Sequence, residues 1–462
     1  MTSSGAAGAV QATGGAASDS TGHTYHAGYF CGGSVTIGGV TATGTYAPDS
    51  SYCDIYVVKM DSDGVVVWIK TFGAYGMYDF PDNIAVDASG NVYLTGYFQD
   101  SPAVDFGNGV VLTDQTSGVR NRFVVKLNSS GLAQWGKVLG GTTTGAIGYA
   151  QVAVGSSVFV YAPFGGSSNT SFVSFGSLTV SNNTPSTFLL RLDPTTGNYL
   201  SVDEIGGAGT TRANALTVDE SGNAYVGGDF NGTALTIGGT NLVNGGAGAY
   251  DAFIAKFSPT GAPVWAKRFG GGGNDAVWHF DVASGVVALS GAFTSSSVAF
   301  GSTNLIASRP LNAGEVNLFL GKIGQDGSFL GAKVLGSGTF WPAGVRMNDA
   351  ESIYVAGAFA GTVRIGSDDF TSRGGDDVFV LKATTDSGVK WARTMGGAVD
   401  DYYGSIVLDG SRSPVVAFDS YFNGSGNPSQ PVSTPIQIGA VNYNVTSPST
   451  FFLRVGPEGA LN

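Results

Sequence analysis

The chain has 462 residues, 42% hydrophobic and 12% charged, with 73 glycines, a formal net charge of -12 and a pI near 4.6. Its abundant aromatic and branched residues exclude a disordered protein, and its 22 Lys and Arg are spread too thinly for a nucleic-acid partner, which needs clustered cations. No apolar run reaches about 18 residues, so no membrane span is expected, and the acidity reads as a solvated surface.

Taken in order, the chain repeats one pattern. In the first unit SDSTGHTYHAGYF (Ser18 to Phe30) predicts two short strands, A and B, about a turn. VTIGG follows, and then DIYVVKMDSDGVVVWIKTFG (Asp54 to Gly73) predicts strands C and D about a second turn. The second unit repeats this with IAVDASGNVYLTGYF, VDFGN and RFVVKLNSSGLAQWGKVLGG, and the fourth with ALTVDESGNAYVGGDFNG, LTIGG and DAFIAKFSPTGAPVWAKRFGG. The third, fifth, sixth and seventh units diverge more, down to the terminal TFFLRVGPEGALN. Seven copies in 462 residues make one about every 66. The units run approximately over 15–73, 74–141, 142–207, 208–271, 272–336, 337–397 and 398–462.

The short piece between strands B and C ends in Gly or its neighbour each time and reads as a minor hairpin. No capped 3.6-residue pattern predicts a helix. Four antiparallel strands said seven times give an all-β fold, a seven-bladed β-propeller, rather than a solenoid with its much shorter rungs. The last unit lacks a strand D, so Ala7 to Thr13 is expected to supply it; the rival alignment makes that segment strand A of the first unit.

The pattern D-x-F-V-x-K, Gly, W-x-K-x-x-G-G, then A-V-D-x-x-G-N-x-Y-V-x-G-x-F resembles the bacterial SBBP family of seven-bladed β-propeller repeats. That resemblance implies the fold and a secreted or cell-surface setting, and it implies little about ligand or activity.

One basic residue ends strand C in each unit: Lys59, Lys126, Arg191, Lys256, Lys322, Lys382 and Arg454. An acid or amide recurs at the A to B turn as Asp19, Asp87, Asp219, Asp281, Asn348 and Asp409. Both turns lie at one edge, which predicts roughly one structural ion pair per unit, worth about 0 to 1 kcal/mol. Trp68, Trp135, Trp265 and Trp391 share one position in strand D and are expected to pack between neighbouring units.

The D to A connections at the opposite edge carry Tyr78, Tyr149, Trp278, Phe340 with Trp341, and Tyr402 with Tyr403. They form a broken aromatic ring at a channel mouth that either stacks on a ligand or plugs the channel. Asp79, Asp275 and Asp401 in the same connections read as loop caps. His23, His26 and His279 have no partner set for a metal, and MDSDG reads as a turn. Cys31 follows strand B and Cys53 precedes strand C, which makes a disulfide between them plausible. No nucleophile elbow, phosphate loop or dinucleotide fingerprint appears, and no cofactor or metal is expected.

The expectation is a non-enzymatic, extracellular or cell-surface module that binds a glycan or protein through the aromatic edge. Two alternatives remain beside it: a self-associating subunit of a surface layer or filament, and a carbohydrate-active enzyme. Two cysteines, low charge and six Asn-x-Ser/Thr sequons fit an exported protein whose leader is not in this chain.

Overall fold

Alternating apolar residues interrupted by Gly and Asp turns produce short strands that pair with their neighbours in sequence. The computed structural model describes residues 2–5, 10–12, 14–45, 53–73, 79–99, 103–113, 120–140, 147–165, 171–246, 248–349, 352–386, 388–420, 434–438, 441–445 and 449–461. Among them every regular element is a strand. The pairing is antiparallel throughout, in four-stranded meanders. In the second unit Phe80–Val86, Val92–Phe98, Asn121–Leu127 and Ala133–Leu139 lie side by side in that order. In the fourth, Thr211–Val218, Ala224–Phe230, Asp251–Phe257 and Pro263–Phe269 do the same.

Burial follows position in the meander. Strand C of the fourth unit is buried along its whole length, while its outer neighbour is partly exposed. A middle strand is sandwiched between the sheets on either side, which explains why DAFIAKF carries a single charged side chain besides its leading Asp. The cores accordingly lie between consecutive sheets: Tyr93 and Val124 of the second unit pack with Val160 and Phe188 of the third.

The inner strands contact one another in succession. Ala16–Ser18 contacts Phe80–Val86, which contacts Gln151–Val154, and so on through Thr211–Val218, Asp275–Ala283 and Phe329–Asp349 to Asp401–Leu408. Asp401–Leu408 in turn contacts Ala16–Ser18.

Two glycine positions permit this packing. A Cβ on Gly228 in strand B would lie 1.9 Å from the Arg212 carbonyl oxygen of strand A, so the G-x-F signature marks where two backbones approach closely. Gly197, at the C to D turn with φ of 70°, would drive a Cβ within 2.7 Å of Trp135 in the preceding sheet.

The minor hairpins form as expected: Ala234–Ile237 pairs with Thr240–Val243. They also latch sheets together. Gly206 and Gly207, at the end of one strand D, pair with Thr236 and Leu235 of the next unit's hairpin. Met395 and Gly396 pair likewise with Ile438 and Gln437.

The chain ends meet, with one correction to the expected register. Thr2–Gly5, rather than Ala7 to Thr13, lies beside Ser449–Arg454 as its outer strand and then latches onto the first hairpin at Thr36 and Ile37. Val10–Gln11 and Ala16–Ser18 pair with strand B of the first unit, the place given by the rival alignment. The double glycine, Gly14 and Gly15, therefore marks the irregularity inside strand A and not the end of a strand D: Gly14 donates to Ala27 O, and Ala27 donates to Gly15 O. Cys31 and Cys53 face each other across strands B and C with Cα atoms 4.0 Å apart, joined by a disulfide.

Candidate functional site

At the edge where strand A begins and strand B ends, most sheets present one cross-strand pair of variable chemistry. Gln11 lies opposite Tyr29, Phe80 opposite Tyr97, and Arg212 opposite Asp229. Ala276 lies opposite Ala292, Trp341 opposite Ala358, and Tyr402 opposite Asp419. Just inside these pairs strand A bulges, leaving Asp82, Asn214, Trp278 and Gly404 as extra residues in the ladder. A bulge re-aims the side chain it carries, and here it turns Asn214 and Trp278 toward a shared space.

That space is a cavity of about 580 Å³. Tyr149, Trp278, Trp341, Tyr402 and Tyr403 all line it, so four different units contribute aromatic walls. Tyr149 lies in the connection just before Gln151–Val154, as expected, whereas Trp278, Trp341, Tyr402 and Tyr403 sit within strands rather than in free connections. Tyr149 and Trp341 are 44% and 40% exposed, so their rings are available to a ligand. Tyr149 is held by its hydroxyl, which donates to the Asp82 carbonyl. Phe340 departs from the expected ring: it is buried and packs edge-on against Phe379. Tyr78 lies outside the described residues.

Polar groups absent from the sequence reading complete the cavity. Arg212 pairs with Asp229 at 3.3 Å and lies over the Tyr250 ring at 3.9 Å. Asn214 donates to Asp229 Oδ1 at 2.7 Å and to Val277 O at 2.9 Å. Burial pushes the Asp229 carboxyl up, opposed by Asn214 and Arg212. Asp376 lines the opposite side, its carboxyl raised by burial and then by the nearby Asp400. The signal that marks Asp229 was present in the sequence: it stands at the variable position of G-x-F, where the other units carry Tyr29, Tyr97, Ala292 or Ala358.

Below lies a channel of about 350 Å³ lined by strand A residues, among them Ala16, Ile84, Val152, Leu216, Phe280, Arg346 and Ile406. Arg346 bridges it, donating to Val345 O at 2.8 Å and to Ala16 O at 3.2 Å. This guanidinium, rather than the aromatic ring, spans the channel.

The capping acids behave as turn and loop anchors. Asp275 accepts from Gly271 N at 2.7 Å and Ser295 Oγ at 2.8 Å, and burial lifts its carboxyl to about 6. Asp401 accepts from Gly397 N at 2.7 Å and is lifted by burial to about 7. Asp79, also buried, fixes the start of its strand through its N–H, which donates to Cys53 O at 3.1 Å. Asp61 of MDSDG accepts from Asp63 N and Val65 N, the geometry of a turn. His23 contacts Asp19 at 3.1 Å, His26 is fully buried, and His279 lines both spaces.

The basic residues of strand C do not share one arrangement, and Lys256 combines an acid contact with a bond to Gln325 O of the next unit at 3.1 Å. Lys59 lies 3.9 Å from Asp19, Lys256 lies 4.0 Å from Asp219, and Arg454 lies 2.5 Å from Asp409. Lys126 departs from the expected pairing with Asp87: it donates to Pro194 O in the next unit at 2.8 Å, while Asp87 accepts from Asn91 and Tyr93. Arg191 reaches Ser201 and Pro259 O, and Lys382 lies 5.8 Å above Tyr354. Lys322 is buried. The strand B tyrosines beneath these cations, Tyr25, Tyr93, Tyr225 and Tyr354, are the floor that the charge pattern alone did not reveal. The strand D tryptophans staple onward: Trp68, Trp135, Trp265 and Trp391 donate to Ser129 O, Pro194 O, Gln325 O and Pro457 O at 3.0–3.2 Å.

Residues 67–97 match the SBBP family, described as a β-propeller repeat. The chain carries an SBBP β-propeller repeat. The SBBP segment contains Trp68 with its onward staple and Asp87 with its turn, together with Tyr93 beneath Lys126. No curated protein matches the chain. Among solved structures it is similar to a protein of unknown function from Dyadobacter fermentans DSM 18053, at 9% identity and a TM-score of 0.42, covering 83% of this chain and 95% of that one. A quinohemoprotein alcohol dehydrogenase from Comamonas testosteroni is 10% identical with a TM-score of 0.38, covering 88% and 67%. A mutant apocarotenoid oxygenase from Synechocystis is 11% identical with a TM-score of 0.39, covering 98% and 93%. At these scores the likenesses say nothing of activity.

Proposed function

We propose that the chain is a seven-bladed SBBP-type propeller that acts outside the cell as a non-enzymatic binding module, holding a glycan in the aromatic cavity. The blade count is supported by the seven sequence units and by inner strands that contact one another in a cycle. An exported setting is supported by the disulfide. The observation that carries the binding reading is convergence: aromatic residues far apart in sequence line one cavity beside Asn214, Asp229 and Asp376. Rings that present their faces, with a few hydrogen-bonding groups between them, suit sugar rings and their hydroxyls.

A glycan array followed by titration calorimetry tests it. Trp341→Ala is expected to weaken a binding oligosaccharide about 30-fold, the equivalent of about 2 kcal/mol for a central aromatic contact. Unchanged affinity in Trp341→Ala and Trp278→Ala would move the ligand elsewhere.

A second reading, self-association, is favoured by exposed aliphatic residues that recur on the outer rim. Val243 and Ile306 of the hairpins are 63% and 66% exposed, and Val264 and Leu330 of strand D are 55% and 50% exposed. If the rim joins copies, Val243→Ser with Ile306→Ser is expected to turn a concentration-dependent assembly into a monomer in sedimentation velocity. A wild-type monomer at high concentration removes this reading.

A further inference from the structure

The cavity is electrically lopsided. On the side of the fourth unit its guanidinium, Arg212, is already engaged by Asp229 at 3.3 Å and by the Tyr250 ring at 3.9 Å. On the side of the sixth and seventh units, Asp376 lines the cavity next to Asp400, whose Oδ1 accepts from Asp376 N at 3.3 Å and whose Oδ2 accepts from Tyr402 OH at 3.3 Å. Two further carboxylates stand behind them. Asp377 and Asp401 are both fully buried, and among the described residues each keeps one carboxylate oxygen, Oδ1, without a hydrogen-bond partner. The nearby guanidinium, Arg373, lies 3.5 Å from Asp377 and is itself largely at the surface. Of these four acids only Asp376 lines the cavity, and each of Asp376, Asp377 and Asp401 feels the repulsion of a neighbouring member.

The same wall carries an aromatic face. Trp341 lies opposite Ala358 and Asp376 opposite Ala360 on the strand between them, so small side chains separate the indole from the carboxylate. A neutral hydroxyl placed there gains a hydrogen bond but leaves the crowding of charge intact. An ammonium group gains the carboxylate, the faces of Trp341 and Tyr402, and relief of that repulsion.

We propose that this wall selects a cationic amine, so that the ligand is a glycan bearing free amino groups, of the glucosamine type. The inference rests on the glycan reading and narrows it to a chemical class.

Calorimetry with a glucosamine pentamer and an N-acetylglucosamine pentamer of the same linkage separates the two claims. The amine pentamer is expected to bind about tenfold more tightly at low salt, and the preference is expected to shrink in 0.5 M NaCl, where exposed charge pairs are screened. Asp376→Asn is expected to abolish the preference while leaving the melting temperature near that of the parent; Asp400→Asn serves the same purpose if the first variant melts early. Trp341→Ala is expected to weaken both pentamers. Equal binding of the two, unaltered by Asp376→Asn, overturns the amine inference and leaves the glycan reading standing. Binding of neither pentamer overturns the inference, and a silent glycan array in addition overturns the reading beneath it.

Discussion

Replacing Arg122 with alanine is expected to cost about 3 to 5 kcal/mol of folding stability, because it leaves a buried carboxylate without its cation. The side chains of Arg122 and Asp82 are only 7% and 2% exposed and form a salt bridge through Arg122 Nη1, which contacts both Asp82 oxygens. Arg122 Nε also donates to Ile147 O at 3.2 Å, and its guanidinium lies 4.7 Å from the centre of the Tyr97 ring. Asp82 is the bulge residue of its strand, and it accepts from Ala150 N at 3.1 Å in the next unit. The pair therefore ties two sheets together beside Tyr149, and its loss also loosens one wall of the cavity. Arg122→Met with Asp82→Leu is expected to recover most of the stability, since apolar residues of similar volume carry no desolvation cost. Urea unfolding at constant m measures both, and a loss below about 1 kcal/mol for Arg122→Ala would show that the pair holds nothing together.

The fold was legible because its rules are local. Asp-x-x-Gly-Asn predicts a turn through one carboxylate: Asp219 Oδ1 accepts from Ser221 N at 3.0 Å and Asn223 N at 2.9 Å, and that chemistry needs no partner far along the chain. The closing strand was less legible. Ala7 to Thr13 is small and nearly featureless, and the same is true of TSSG at residues 2–5, so hydrophobic pattern alone gave no register to either. What fixes the register is tertiary: Asp419, 407 residues away, takes the Ala12 N–H on both of its oxygens at 3.0 and 2.9 Å.

The candidate site was half legible for a similar reason. Large aromatics break the repeat visibly, so Trp278 and Trp341 stand out in a chain of small residues. Arg212 and Asp229 are ordinary in type and acquire meaning only as opposite members of one cross-strand pair. Asp376 hides within D-D-V-F, where the second Asp is the buried scaffold residue and the first faces the cavity. Laying the seven units over one another by strand register, rather than by composition, exposes that variable edge.

Raising the pH from 5 to 8 is expected to destabilise the protein, with the seam between the first and last sheets among the contributors. Asp419 is 1% exposed there, holding Ala12 N and Thr450 Oγ1, and burial lifts its carboxyl to about 7. A carboxyl that binds its proton more tightly folded than unfolded stabilises the fold at low pH and loses that contribution as the pH climbs from about 4 through 7. For Asp419 the full difference is about 4 kcal/mol at about 1.4 kcal/mol per pH unit. Asp401 near 7, and Asp275 and Asp377 near 6, push in the same direction. His26 opposes them. It is fully buried against Phe452 of the last sheet, with its ring centroid 4.7 Å away, and burial lowers it to about 3. Its neutral ring favours folding above pH 6.5, and that advantage is lost as the pH falls toward 3. Between pH 5 and 6.5 one imidazole works against four carboxyls, and above 6.5 it adds no further slope, so the carboxyls decide the sign. Melting temperature is expected to fall from pH 5 to pH 8, and Asp419→Asn, which keeps the shape without the charge, is expected to raise it at pH 8 and flatten the profile. A parent protein that melts higher at pH 8, or an Asp419→Asn profile parallel to it, would mean that ionisation of the carboxylate at the seam does not govern stability in this range.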